Sequence, residues 1–147
     1  MLADRLASFI HLYTLYWSVR PFGAAVLLAV ADAPQGGAAS PSSASLFMLE
    51  PSGTVHKYFG AALGKARAQA KTEVERLPLG SLTCRAAVAE IAKIIHRCHD
   101  EKDKAFELEL SWVCAESGWQ HTKVPAPLAA EAEQSAKDAI AAAAMED

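Results

Sequence analysis

The spacing of apolar residues changes several times along this chain, and each change restricts the element that a segment can form. In residues 2–17 the apolar side chains recur three and four positions apart, which predicts a helix from residue 2 to about 19. Three short apolar runs, bounded by glycine, proline or serine, predict three strands. They are Phe22–Ala31, Leu46–Leu49 and Thr54–Leu63. The turn sequence Glu50-Pro51-Ser52-Gly53 predicts that the last two strands form a hairpin or meander.

Helical spacing returns in the second half of the chain. Lys65–Arg76 predicts one helix, and a second helix, capped by Ser81 or Thr83, is predicted to extend to about His99. Apolar residues alternate three and four apart along this second helix, which predicts a buried stripe. The members of that stripe are Cys84, Val88, Ile91, Ile95 and Cys98.

The remaining segments complete an α+β order. Ala105–Val113 and Trp119–Val124 predict two further strands, and an Ala/Glu-rich helix follows Pro125. Strands that come in hairpins, with helices that can cover their outer faces, are typical of the α+β class. The segment 32–45, with the sequence DAPQGGAASPSSAS, predicts a low-complexity inserted loop.

Composition excludes several classes of protein. The chain is 52% hydrophobic and 21% charged, which indicates a globular domain, and its net charge of −3 without a basic stripe argues against a nucleic-acid partner. The longest apolar run is about 10 residues, which predicts no membrane span. Three cysteines without a C-x-x-C pair predict small buried thiols in a reducing compartment.

The stretch YFGAALGKARAQAKTE, residues 58–73, has the outline of a phosphate-binding loop. Gly60 and Gly64 are one residue closer together than the motif requires, and Ala66 replaces the hydroxyl residue that would bind Mg²⁺. We therefore interpret Gly64-Lys65 as a tight turn between a strand and a helix, where glycine supplies a positive φ. The sequence predicts no cofactor and no small-molecule ligand.

Two other groups of residues are candidates for chemical sites. His96, Cys98 and His99 are metal-capable, but Cys98 is predicted to point away from the two histidines, and no second cluster supplies the remaining ligands of a zinc site. Glu107 and Glu109 share one predicted strand face, which a solvated surface explains more simply than an acid–base pair. We predict no catalytic residue and no metal site.

Four stretches together resemble proteasome alpha-type subunits. They are LADRLASFIHLYTLYWSVRPFG, LEPSG, GAALGKARAQAKTEVERL and AKIIHRCHDEKDKAFELELSWV, and the resemblance extends from Leu2 to about Val113. It implies a four-layer αββα sandwich of the N-terminal-nucleophile-hydrolase type. It also assigns structural roles in motif turns to ten residues: Arg20, Pro21, Phe22, Gly23, Glu50, Pro51, Ser52, Gly53, Gly64 and Lys65.

The resemblance implies a function as well. Alpha-type subunits are non-catalytic members of the alpha ring of the 20S proteasome core, and they contribute to ubiquitin-dependent and ubiquitin-independent protein degradation in cytoplasm and nucleus. The implied partners are neighbouring alpha subunits and the beta ring, with no nucleic acid, membrane or small-molecule substrate. A threonine-peptidase role would need processing to a new N-terminal threonine such as Thr54 or Thr83, and neither follows a recognisable propeptide.

The resemblance covers only part of a full alpha-type domain. Residues 1–147 correspond to the C-terminal portion of a single such domain, and Met1 is followed at once by a predicted helix. We therefore expect an incomplete sandwich from an N-terminally truncated chain. The alternative function is a truncated, non-assembling fragment or a stand-alone interaction module without proteasome activity.

Overall fold

The computed structural model describes residues 2–32, 43–99, 106–143 and 145. The chain divides into two compact units, Met1–Leu63 and Gly64–Asp147. Most of the predicted inserted loop, residues 33–42, lies outside the described residues, as does the start of the predicted strand at 105. Helices and antiparallel sheets occur together, so the predicted α+β class is confirmed.

The first unit is a helix packed on a three-stranded sheet. Helix α1 is Leu2–Leu15, and the strands are β1 (Val26–Asp32), β2 (Ser43–Leu49) and β3 (Val55–Tyr58). The strands are antiparallel in the order β1-β2-β3. Helix α1 and strands β1 and β3 are shorter than their apolar runs predicted. Strand β2 is longer, because it begins at Ser43, within the segment predicted as a loop.

The core of the first unit lies between α1 and one face of the sheet. Ala7 and Ile10 of α1 and Leu49 of β2 form a buried cluster. Partly buried apolar side chains of the strands and of α1 surround it: Leu6, Val26, Leu28, Phe47 and Val55. These strand residues alternate along the chain, as expected for side chains on one face of a pleated sheet.

The second unit contains three helices and a two-stranded sheet. The helices are α2 (Arg67–Glu75), α3 (Cys84–Cys98) and α4 (Ala126–Ala143), and the sheet pairs β4 (Ser111–Trp112) with β5 (Thr122–Lys123). Its buried cluster consists of Val88, Ala92, Val124, Ala132 and Ala136. The hydroxyl of Thr83 accepts a hydrogen bond from the amide of Ala86 at 3.2 Å, which confirms the predicted cap of α3.

The predicted buried stripe of α3 is wrong. Of its five members only Val88 is buried, whereas Cys84 is exposed and Ile91 and Ile95 are 43% and 37% exposed. Ala92 and Ile94 are buried in their place. The reason is that α3 packs against α4 through small side chains, and close approach of two helices favours alanine over the larger residues that hydropathy selects.

Within the residues that the structure describes, no helix combines the length and the apolar character that a membrane span requires.

Ala136 tests the helix contact in the second unit. Ala136 is fully buried in the same cluster as Ala92, so Ala136→Leu forces extra volume into a close-packed site. We expect a loss of about 1–3 kcal/mol in the free energy of unfolding, measured by urea denaturation. Ala130→Leu, on an exposed position of α4, is the matched control and should change stability by less than about 0.5 kcal/mol. Equal losses in the two variants would contradict a close contact at Ala136.

Candidate functional site

The turn at Glu50–Gly53 is held by a dense set of hydrogen bonds. The amide of Gly53 donates to the carbonyl of Glu50 at 2.9 Å, and the amide of Glu50 donates to the carbonyl of Thr54 at 3.0 Å. The hydroxyl of Ser52 accepts from the amide of Thr54 at 3.2 Å and lies 2.8 Å from the Thr54 hydroxyl. Turn residues with short polar side chains stabilise their own backbone in this way.

Helix α1 presses directly against this turn. A side chain added to Gly53 would come within 2.5 Å of the Cβ atom of His11 and 2.9 Å of the carbonyl oxygen of Ala7. Nδ1 of His11 donates to the carbonyl oxygen of Ser52 at 2.9 Å. Gly53 also has a φ of +83°, which favours glycine. The turn is therefore both a backbone requirement and a docking point for α1.

The Arg20–Gly23 segment packs against α1 through the ring of Phe22. The ring of Phe22 lies 4.5 Å from that of Tyr13 and 6.1 Å from that of Phe9, measured between centroids. The guanidinium of Arg20 donates to the carbonyl of Pro21 at 3.4 Å. Aromatic rings at such separations contribute packing beyond the buried area alone. Phe22 thus anchors the connection between α1 and β1.

Gly64-Lys65 lies just before α2, but β3 ends at Tyr58, so the pair is not the tight strand-to-helix turn that the sequence predicts. Gly64 has a φ of +102°, and its carbonyl accepts from the amide of Arg67 at 3.2 Å, where α2 begins. Ala66 is the N-cap of α2 and gives it no side-chain hydrogen bond. Lys65 is exposed. The left-handed glycine accounts for the motif by conformation alone.

The candidate metal residues do not form a site in the described part of the chain. The rings of His96 and His99 both pack on Phe106, at 4.9 and 4.7 Å between centroids. Nε2 of His96 is buried and has no hydrogen-bond partner among the described residues. No group of three or more metal-capable side chains is found among them.

The predicted carboxylate pair is divided between separate environments. Glu109 forms an ion pair with Lys123 at 3.3 Å, and both side chains are largely exposed. Glu107 is exposed as well. Next to this ion pair, Nε2 of His121 lies 2.9 Å from the hydroxyl of Ser111, a contact that the sequence analysis missed. The two residues are ten apart in sequence, and only the pairing of β4 with β5 brings them together.

Shifted pKa values among the described residues cluster in the second unit. A hydrogen bond to Glu116 raises the pKa of Arg85, and a hydrogen bond from Lys137 lowers the pKa of Glu133. Burial raises the pKa values of the Cys84 and Cys98 thiols. None of these groups belongs to the motif turns, whose contacts are architectural.

The sequence that forms these elements matches one family of known proteins. The family model described as Proteasome subunit matches residues 2–113. The chain belongs to the proteasome subunit family. The resemblance inferred from the sequence, together with its α+β fold class, is thereby confirmed.

Individual relatives of this proteasome-family chain refine the match. It is 56% identical over 140 residues to proteasome subunit alpha type-3 of Oryza sativa subsp. japonica. The aligned residues cover 95% of this chain and 53% of that protein. It is 51% identical over 140 residues to the same subunit of Arabidopsis thaliana, with the same two coverages. The Dictyostelium discoideum subunit is 44% identical over 143 residues, covering 95% of this chain and 54% of its own. The chain therefore spans about half the length of these relatives.

Proposed function

We propose that the protein is a non-catalytic structural subunit of the alpha ring of the 20S proteasome core. In that role it contributes to ubiquitin-dependent and ubiquitin-independent protein degradation. The observation that carries the proposal is the 56% identity to an alpha type-3 subunit over 95% of this chain. Identity at this level over nearly the whole sequence preserves the turns and buried positions that a shared fold needs.

Thr54 and Thr83, named above as examples of threonines that a peptidase role could use, both take part in local hydrogen bonds. The Thr54 hydroxyl lies against Ser52, and its amide and carbonyl both take part in the turn at residues 50–53. Thr83 caps α3 through its hydroxyl. A threonine nucleophile of this kind needs its own free α-amino group as base. These contacts support a subunit without its own catalytic threonine.

The proposed partners are neighbouring alpha subunits and the beta ring. We further propose a cytoplasmic and nuclear location, which follows from assembly into that particle and is checked by cell fractionation. The proposal excludes nucleic acid, membrane and small-molecule substrates as partners, in line with the net charge of −3 and the absence of a basic stripe in the sequence.

Co-purification with active proteasomes tests the proposal. We expect the tryptic peptides spanning residues 77–85 and 105–123 in 20S particles, in fixed ratio to catalytic subunits through successive sizing and ion-exchange steps. The intact mass of the polypeptide that carries them, compared with 15.6 kDa, shows how much chain accompanies residues 1–147 in the particle. Peptides found only in proteasome-free fractions would reject the alpha-ring role and favour a stand-alone module.

A pair of variants separates folding from assembly in the same experiment. Leu49→Ala removes a fully buried side chain, whereas Leu27→Ala removes one that is 40% exposed on the opposite face of the same sheet. We expect tagged Leu49→Ala protein to enter the particle less efficiently than tagged Leu27→Ala protein. Equal incorporation of the two variants would mean that assembly into the particle does not require the folded first unit.

A further inference from the structure

Two cysteines from distant parts of the sequence meet in the second unit. Cys84 is the first residue of α3, and Cys114 directly precedes a 3-10 turn at Ala115–Ser117. The Arg85 guanidinium binds the Glu116 carboxylate and so joins the two segments, and burial, followed by the Cys114 thiol, raises the pKa of Cys84. Cys84 is exposed as a residue and Cys114 is buried, so solvent reaches Cys84 more readily than Cys114.

Neighbouring contacts hold both cysteines in place. Nε of Arg85 donates to Oε1 of Glu116 at 2.9 Å, and Nη2 of the same guanidinium donates to Oε2, which makes a bidentate ion pair. The carbonyl of Cys114 accepts hydrogen bonds from the amides of Ser117 and Trp119, at 3.1 and 2.9 Å. Thr83 caps the helix immediately before Cys84. These contacts hold the backbone next to each thiol.

The third cysteine cannot take part. Cys98 lies at the other end of α3, fourteen residues from Cys84, and a helix of that length separates the two by about 21 Å. A disulfide needs Cα atoms within about 7 Å of each other. Cys98 therefore serves as an internal reference thiol on the same helix.

We propose that Cys84 and Cys114 form a reversible intramolecular disulfide when the protein meets an oxidised low-molecular-weight disulfide such as oxidised glutathione. The thiolate of Cys84 attacks one glutathione sulfur, which breaks the glutathione disulfide and releases one reduced glutathione. The thiolate of Cys114 then attacks Sγ of Cys84 and releases the second glutathione. The two cysteines lose two electrons and two protons, and the reagent gains both as two thiols.

The order of the two steps follows from exposure. A small disulfide can reach Cys84, whereas Cys114 is buried and reacts only with Sγ of Cys84 once that sulfur carries glutathione. Although Cys84 is exposed as a residue, partial burial of its thiol is the main cause that raises its pKa, and the Cys114 thiol adds to the shift. The thiolate is the reactive form, so the first step should accelerate as pH rises through the alkaline range.

The proposal does not depend on assembly into a proteasome, because every contact that supports it lies within the second unit. Its consequence is a covalent link between the first turn of α3 and the turn that precedes β5. That link closes a 30-residue segment of chain. Closing such a loop stabilises the folded state chiefly by restricting the unfolded chain, so we expect the oxidised form to melt higher by roughly 5 °C or more.

Peptide mapping of the full chain tests the proposal. The protein is incubated with oxidised glutathione at mildly alkaline pH, alkylated to trap free thiols and digested with trypsin without reduction. Trypsin places the three cysteines on separate peptides, at residues 77–85, 98–102 and 105–123. We expect the main product to join the first and third peptides, with Cys98 alkylated.

The same reaction in concentrated guanidinium is the control for an unfolded chain. Loop-closure entropy then favours the shorter Cys84–Cys98 loop over the Cys84–Cys114 loop by roughly threefold. A native sample that shows this unfolded distribution would overturn the proposal. So would a lasting glutathione adduct on Cys84 with Cys114 still reduced, since that outcome means that the second thiol cannot reach the first.

Two variants complete the test. Cys98→Ser should leave the cross-link and its rate unchanged, because Cys98 lies at the far end of α3. Cys114→Ser should stop the reaction at the glutathione adduct of Cys84 and abolish the rise in melting temperature. Loss of the cross-link in Cys98→Ser would assign the chemistry to a different pair and contradict the proposal.

Discussion

Replacing Gly53 with alanine is expected to lower the free energy of unfolding of the first unit by about 2–4 kcal/mol. Two physical effects add. The φ of +83° disfavours any residue with a Cβ atom, and the new Cβ would lie 2.5 Å from that of His11. The neighbouring atoms belong to the backbone and first side-chain atom of a packed helix, so they cannot move aside cheaply.

Substitutions at two other glycines distinguish the cost of the positive φ from the cost of the clash with His11. Gly64 has a φ of +102° with no heavy atom within 4 Å of an added Cβ, so Gly64→Ala should show the backbone cost alone, about 1 kcal/mol. Gly80 has neither feature, and Gly80→Ala should change stability little. Urea denaturation gives the free energies, and hydrogen exchange on peptides from each unit keeps their transitions apart. A loss at Gly53 no larger than that at Gly64 would mean that α1 does not press on the turn in solution.

Leu49→Ala is the second substitution with a large expected effect, a loss of about 3 kcal/mol in the free energy of unfolding. Leu49 is the one large side chain among the described residues that is fully buried, and it joins Ala7 and Ile10 in the core of the first unit. Truncation removes its transfer free energy and leaves a cavity between α1 and the sheet. Urea denaturation of the full chain measures the change.

Leu27→Ala is the matched control for this cavity. Leu27 belongs to the neighbouring strand of the same sheet but lies on the opposite face and is 40% exposed. Its truncation should cost less than about 1 kcal/mol, because 40% of Leu27 is already in water and water can enter the space that the truncation leaves. Similar losses at the two positions would contradict a core located between α1 and the Leu49 face of the sheet.

Much of the local structure could be predicted from the sequence. Helical spacing located α1, α2 and α3, and the hydroxyl before α3 identified its cap at Thr83. The Glu-Pro-Ser-Gly sequence identified the turn between β2 and β3, and the incomplete phosphate-loop motif was explained by a left-handed glycine at Gly64. These features depend on residues within a few positions of one another, so the chemistry that decides them is contained in a short stretch of chain.

The strands were predicted less well for a physical reason. Residues 106–110 alternate like a strand, yet in the described chain only Ser111–Trp112 pairs, with Thr122–Lys123. Apolar alternation shows that a segment can lie in a sheet, but a strand exists only where another backbone satisfies its amides and carbonyls. The sequence of one strand does not identify the strand with which it pairs.

The sequence by itself determined the family, the order of elements and the turns, because all of these follow from local spacing or from stretches that can be compared residue by residue. Only the tertiary structure decided which faces are buried. It buried Ala92 rather than Ile91 and Ile95, packed His11 against Gly53, and joined the segment of Cys84 to that of Cys114 through the Arg85–Glu116 pair. Each of these outcomes joins residues far apart in the chain, and burial depends on the neighbour that packing supplies rather than on the hydropathy of the residue alone.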